Sequence, residues 1–155
     1  MKDRIKINSS WSAYENKVLD TTQEGLENEL SYNISDQKIS LLSNFSKSRT
    51  DTNGPNSRRP DLTYGLDYIA KLKSEDYGLF KLGFNYRYIG DHIDWTGSKN
   101  EFVKSVDLVN AFISKDFQGF DISLRISNLL NERYEKPATY SQDGRQFNIN
   151  LRNKF

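Results

Sequence analysis

Between Leu79 and Asp94 the chain alternates. Phe80, Leu82, Phe84, Tyr86 and Tyr88 hold one parity, and Lys81, Gly83, Asn85 and Arg87 hold the other. A period of two puts these sets on opposite faces of a strand. The pattern recurs elsewhere: Leu62, Tyr64, Leu66 and Tyr68 oppose Asp61, Thr63, Gly65 and Asp67. Ile122, Leu124 and Ile126 oppose Ser123, Arg125 and Ser127, and Phe147, Ile149 and Leu151 oppose Asn148, Asn150 and Arg152. Helical periodicity is absent, so the chain is predicted to be all-β. A soluble sheet with one wet face alternates in the same way, so the period fixes the class of fold and not its surroundings.

Taken in order, the sequence predicts about eight antiparallel meander strands. A weak one over 2–10 has only Ile5 and Ile7 to alternate, and residues 11–16, with Trp11 and Tyr14, read as a short connection. Strands follow over 18–34, 38–49, 61–72, 79–94, 103–116, 121–127 and 147–151. In 18–34, Leu26, Leu30, Tyr32 and Ile34 oppose Glu27, Glu29, Ser31 and Asn33. In 103–116 two parities compete, Val109, Ala111 and Ile113 against Leu108 and Phe112. Gly65, Gly83 and Gly90 stand alone in strands and read as points of close approach. The connections alternate in length, short at 35–37, 73–78 and 117–119 and long at 50–59, 95–101 and 131–145. Transmembrane barrels show this asymmetry, with short turns periplasmic and long loops extracellular.

Composition narrows the choice. Only 35% of residues are hydrophobic while 13% are aromatic, which suits a barrel with an apolar outer band, a polar interior and aromatic rims. On that reading Lys81, Arg87, Glu27, Glu29, Arg125, Arg152 and Lys154 face a hydrated lumen, because Arg or Lys at the midplane costs about 2–4 kcal/mol. No apolar run approaches the roughly 18 residues of a membrane helix, which excludes helical spanning alone. A formal net charge of +1 gives no argument for a nucleic-acid partner. Cysteine is absent and His92 is the one histidine, so disulfides, thiolate sites and His-based metal clusters are excluded. His92, beside Asp91 and Asp94 at a strand end, reads as a solvated residue, and the carboxylate pairs read as solvent-facing. No catalytic constellation and no cofactor motif is found, and the chain is expected not to be an enzyme.

The last 35 residues are the most specific. Asn128-Leu129-Leu130-Asn131-x-x-Tyr134, then Gly144-Arg145-x-Phe147, then a strand ending on Phe155, resembles the C-terminus of TonB-dependent outer-membrane receptors. Leu130 stands where that family usually has Phe. Gly25-Leu26-Glu27 is similar to an element that opens a strand in the same receptors. The Gly144-Arg145 pair leans towards the cobalamin-receptor branch over ferric-siderophore receptors.

The resemblance implies that residues 1–155 are the C-terminal part of a transmembrane barrel of 22 strands, located in the bacterial outer membrane. The expected function is uptake of cobalamin or a ferric siderophore. The implied partners are outer-membrane lipid, the small-molecule ligand, the barrel-assembly machinery reading Phe155, and TonB acting through a plug domain. Neither a plug nor a signal peptide is found here; Met1-Lys2-Asp3-Arg4 is followed by no apolar segment, and the expectation is a longer gene product. Phe80, Leu82, Phe84, Tyr86, Tyr88, Ile122, Leu124, Ile126, Phe147, Ile149 and Leu151 are expected to face lipid. Arg58, Arg59, Trp95, Arg133, Tyr134, Tyr140 and Arg145 lie in the long loops and are candidates for ligand binding at the outer mouth. Two other readings stay open: a complete eight-strand outer-membrane barrel with a structural or adhesive role, and a soluble lipocalin-like carrier.

Overall fold

The computed structural model describes residues 4–16, 21–34, 37–50, 54–55, 60–117 and 119–153. All regular elements in it are strands: β1 Arg4–Asn16, β2 Thr21–Ile34, β3 Gln37–Thr50, β4 Gly54–Pro55, β5 Leu62–Ser74, β6 Gly78–Ile89, β7 His92–Trp95, β8 Asn100–Val103, β9 Val106–Phe117, β10 Phe120–Ser127 and β11 Gln146–Asn153. One sheet runs β1-β2-β3-β5-β6-β9-β10-β11, the short β4 pairs with β3, and β7–β8 forms a separate hairpin between β6 and β9. Every pairing is antiparallel. The sheet does not close on itself: among the described residues β1 and β11 are its two edges.

Three expectations change. Residues 11–16 are not a connection but the second half of β1, because Trp11 stands opposite Leu26 as Ile7 does opposite Leu30. Once that register is set, the backbone ladder carries the polar residues beyond it. The strand expected over 79–94 is broken at Gly90, whose N–H donates to Leu62 O at 2.9 Å. A Cβ there would lie 2.8 Å from that oxygen, so the chain turns at the one residue that lets the backbones approach. The loop expected over 95–101 is the tip of the β7–β8 hairpin.

Directly paired residues share a face, so register converts alternation into two surfaces. One apolar row crosses all eight strands of the sheet: Ile5, Tyr32, Ile39, Tyr68, Phe84, Ala111, Ile126, Phe147. The register also settles β9. Val109 and Ile113 pair with Tyr86 and Leu82, so they join the apolar face and Phe112 joins the polar one. Phe112 is there for a reason: it pairs with Gly83, and its ring occupies the space where a Cβ of Gly83 would stand. Replacing Gly83 by Ala is expected to cost about 1–3 kcal/mol through overpacking. Adding Phe112→Ala should relieve that cost, giving a coupling above about 1 kcal/mol in a double-mutant cycle. Urea titration of the detergent-folded chain measures this, and additive costs would refute the contact.

The apolar face has polar limits. At the outer end Asp107, opposite Tyr88, accepts the Tyr86 hydroxyl at 2.6 Å, while the Tyr64 and Tyr88 rings stack at 4.7 Å. At the other end Lys115, opposite Phe80 and Ile122, places Nζ 4.5 Å above Phe117, which stacks on Phe120 at 4.9 Å. From one row outside the Asp107 row to the Lys115 row, β5 presents apolar residues from Leu62 to Leu72. Ten residues at about 3.3 Å each, tilted by roughly 40°, span about 25 Å, the height of a barrel's apolar band.

Among the described residues no second layer covers this face. The buried apolar side chains among the described residues are Ala70, Val103, Val106, Val109 and Ala138, three of them at the outer end. Ile149, in contrast, is 79% exposed.

Candidate functional site

Among the described residues, separate elements pack on each other at the end of the sheet next to the β7–β8 hairpin, the outer end. There the β7–β8 hairpin meets the long connection between β10 and β11, residues 128–145.

That connection is tied by two asparagines in left-handed conformation, Asn128 (φ +50°) and Asn131 (φ +59°), a region that asparagine tolerates better than most residues. Asn128 is buried. Its Nδ2 donates to Glu132 O at 2.8 Å and Asp143 O at 3.2 Å, and its Oδ1 accepts the Glu132 N–H at 2.9 Å. Asn131 Oδ1 accepts the Arg145 N–H at 2.9 Å. A Cβ on Gly144 would lie 2.6 Å from that oxygen, which accounts for glycine before the arginine. Arg145 Nε donates to Leu129 O at 2.9 Å, and Leu129 N–H donates to Val109 O at 2.7 Å. The motif spacing is thus the wiring of a loop whose two ends are fastened side by side.

Beyond this knot, Gln142 N–H donates to Tyr134 O at 2.9 Å and Glu135 bridges to Ser141. At the apex, Ala138 N–H donates to Asp94 Oδ2 at 2.8 Å. Asp94 is 1% exposed, which corrects the expectation that the carboxylates here face solvent. A buried carboxylate keeps its charge only when hydrogen-bonded, and the loop apex supplies a donor. His92 is also half-buried rather than solvated, with Nδ1 3.2 Å from Gly90 O.

Two hollows result. One, of about 380 Å³, lies between hairpin and loop and is lined by His92, Asp94, Lys104, Tyr134 and Pro137 among others. The second, of about 550 Å³, is more open and is lined by Asn131, Arg133, Tyr134, Glu135 and Gln142 among others. Charged and aromatic groups converge on both, with amides in the second, an arrangement suited to holding a polar ligand.

Of the candidates from sequence, Arg133 and Tyr134 come together at the second hollow, and Tyr134 also lines the first. Trp95 ends β7 and Tyr140 lies in the loop, both well exposed. Arg145 is exposed, but its N–H and Nε serve the knot. Arg58, Arg59 and Phe155 lie outside the described residues. Sequence reasoning missed Asp94, Lys104 and Pro137, which only the folding of hairpin onto loop brings together.

The polar face carries a ladder leading from this end into the sheet. Asp67 pairs with Arg87 at 2.8 Å and accepts from Asn85, and Asn110 donates to Asn85 Oδ1 at 3.0 Å. Asn110 Oδ1 then accepts the Asn128 N–H at 3.0 Å. Three strands, β5, β6 and β9, and the loop knot are joined through these side chains.

No protein-family model and no curated protein matches the sequence. Among solved structures, the FpvAI–pyocin S2 complex aligns over 98% of this chain with a TM-score of 0.76 at 15% identity. Pseudomonas aeruginosa FpvA bound to a heterologous pyoverdine–iron complex aligns over 98% with a TM-score of 0.75 at 14% identity. The chain spans about a quarter of the length of these matches, 24% and 25%. At such identity the likeness is one of fold: an all-β, antiparallel architecture shared with these structures.

Proposed function

We propose that this chain forms part of the membrane-spanning wall of an outer-membrane receptor that takes up a ferric siderophore. The observation that carries the reading is the division of the sheet into two unlike faces. The apolar face is about 25 Å tall and uncovered, and the opposite face holds a hydrogen-bonded ladder of charged and amide groups. In water an apolar surface of that size is a site of association; against hydrocarbon it is satisfied, and the ladder then lines a wet interior. A lipocalin-like carrier needs the reverse, with the apolar face enclosed.

The receptor-like fold supports transport over a structural role. The pyoverdine–iron complex held by FpvA supports a siderophore as cargo. The preference for cobalamin rests on Gly144-Arg145, which fasten the loop, and on the Arg58-Arg59-Pro60 run, whose arginines lie outside the described residues. On this reading TonB acts through a plug elsewhere in the protein, and the outer hollows contact the ligand, with Arg133 and Tyr134 as first candidates.

Tryptophan fluorescence tests the membrane placement. Trp11, 68% exposed, lies on the apolar face one row outside the Tyr64–Tyr88 pair, whereas Trp95 lies on the outer hairpin. In vesicles of shallow-brominated lipid, the Trp95→Phe chain should lose about half its emission, an order-of-magnitude expectation for contact with lipid at the interface. The Trp11→Phe chain should lose little. Equal quenching of both tryptophans would sink the proposal. Uptake of iron-55 siderophore against labelled cobalamin, by cells carrying the whole receptor, then decides the cargo.

A further inference from the structure

An asparagine side chain can point either way, because one end of its amide accepts and the other donates. On the polar face two of them are held in a single sense. The Asn128 N–H donates to Asn110 Oδ1 at 3.0 Å, and Asn110 Nδ2 donates to Asn85 Oδ1 at 3.0 Å. Asn85 Nδ2 in turn donates to Asp67 Oδ1. A backbone N–H only donates and an ionised carboxylate only accepts, so the two ends fix both amides. Three hydrogen bonds therefore run head to tail, from the outer loop to a negative charge on β5.

Bonds aligned in this way strengthen one another, by roughly 10–30% each, and the bond to the carboxylate is charge-assisted. The line has a closed end and an open one. At the closed end Asn128 is buried, and its side chain holds the loop knot. At the open end Asp67, Asn85 and Asn110 line a hollow of about 390 Å³. Arg87 meets the other carboxylate oxygen, Oδ2, at 2.8 Å, and so lies beside the line rather than in it. Removing the charge of Asp67 weakens the terminal acceptor, and with it the hold of Asn85 on Asn110 and of Asn110 on the loop.

We propose that Asp67, Asn85 and Asn110 form a coupling line through the sheet, by which charge in that hollow sets how firmly the outer loop is fastened at Asn128. Two separate sites and a contiguous chain of contacts are what such coupling requires. It is reciprocal, so a ligand that tightens the loop also favours the charged form of Asp67. The proposal goes beyond the receptor reading and does not depend on it, since the line can be tested without a membrane.

Hydrogen exchange of the Asn128 amide is followed by NMR in the detergent-folded chain. The Thr96 amide, which donates to Lys99 O at the hairpin tip, is off the line and serves as reference. Asp67→Leu should speed exchange at Asn128 by about tenfold or more, the loss of one net hydrogen bond to a charged group. Exchange at Thr96 should change less than about twofold, as expected of a site without shared partners. Asp67→Asn keeps an acceptor without the charge, should speed exchange about threefold, and stands in if the leucine variant does not fold. Arg87→Gln removes the ion pair but leaves the carboxylate, so exchange at Asn128 should stay within about twofold. In an Asn110→Ala background, where the line is already cut, Asp67→Leu should add less than about twofold. Strand circular dichroism checks that each variant is folded. Unchanged exchange in the Asp67 variants, an equal rise in Arg87→Gln, or an undiminished effect of Asp67→Leu in the Asn110→Ala background would overturn the line.

Discussion

Phe84→Arg is expected to prevent stable insertion of the chain. Phe84 sits midway along β6 between the levels marked by Asp107 and Lys115, in the row with Tyr68 and Ala111. On the proposed reading this is the bilayer midplane, where a lipid-facing arginine costs about 2–4 kcal/mol. Thr63→Arg adds the same side chain on the opposite face of β5, opposite Ile89 and on the wet side, and should cost less than about 1 kcal/mol, since lumen-facing substitutions leave the lipid contact intact. The measurement is urea titration of the chain in phospholipid vesicles, read by strand circular dichroism. Similar costs for the two variants would mean that the two faces share one solvent, and the barrel reading would fail.

Asn128→Ala is the second large effect, and its cause is different. The side chain satisfies three backbone groups, Glu132 N–H, Glu132 O and Asp143 O, in a buried setting where each orphaned group costs about 1–3 kcal/mol. Alanine also bears the strain of φ +50°, about 1 kcal/mol more. A total of about 4 kcal/mol or more is expected. Asn128→Gly removes the strain and keeps the loss of hydrogen bonds, so it should recover about 1 kcal/mol. Protection of the Glu132 amide against hydrogen exchange should fall in both variants. An unchanged exchange rate would mean that the knot is not held by Asn128.

These two predictions mark what was legible in the sequence and what was not. The faces of β5, β6, β10 and β11 were readable because their side chains alternate, strictly from Leu62 to Tyr68 and from Phe80 to Tyr88. In β9 the alternation fails, since Leu108 and Phe112 put apolar groups on both parities. Phe112 is explained by a missing side chain on the neighbouring strand, a fact about pairing that no single strand contains. β1 was cut short for a related reason: its outer half has little pattern of its own and takes its conformation from β2. The outer site was legible as a motif, Asn128 to Arg145, but not as a mechanism. Nothing near Asp94 in the chain announces that Ala138, 44 residues further on, will supply its donor. Such contacts depend on how two loops meet, and local propensity is silent on that.

Gly90 has an effect on how this molecule can change over generations. Because the chain bends there, against the carbonyl of Leu62, the hairpin above is a separate two-stranded unit, and the ladder of the sheet resumes at Val106 opposite Ile89. Residues can be added to or removed from the hairpin tip without shifting any pair in the wall below. The hairpin end is thus free to vary, while the wall keeps the register on which, in the proposed reading, its fit to a membrane depends.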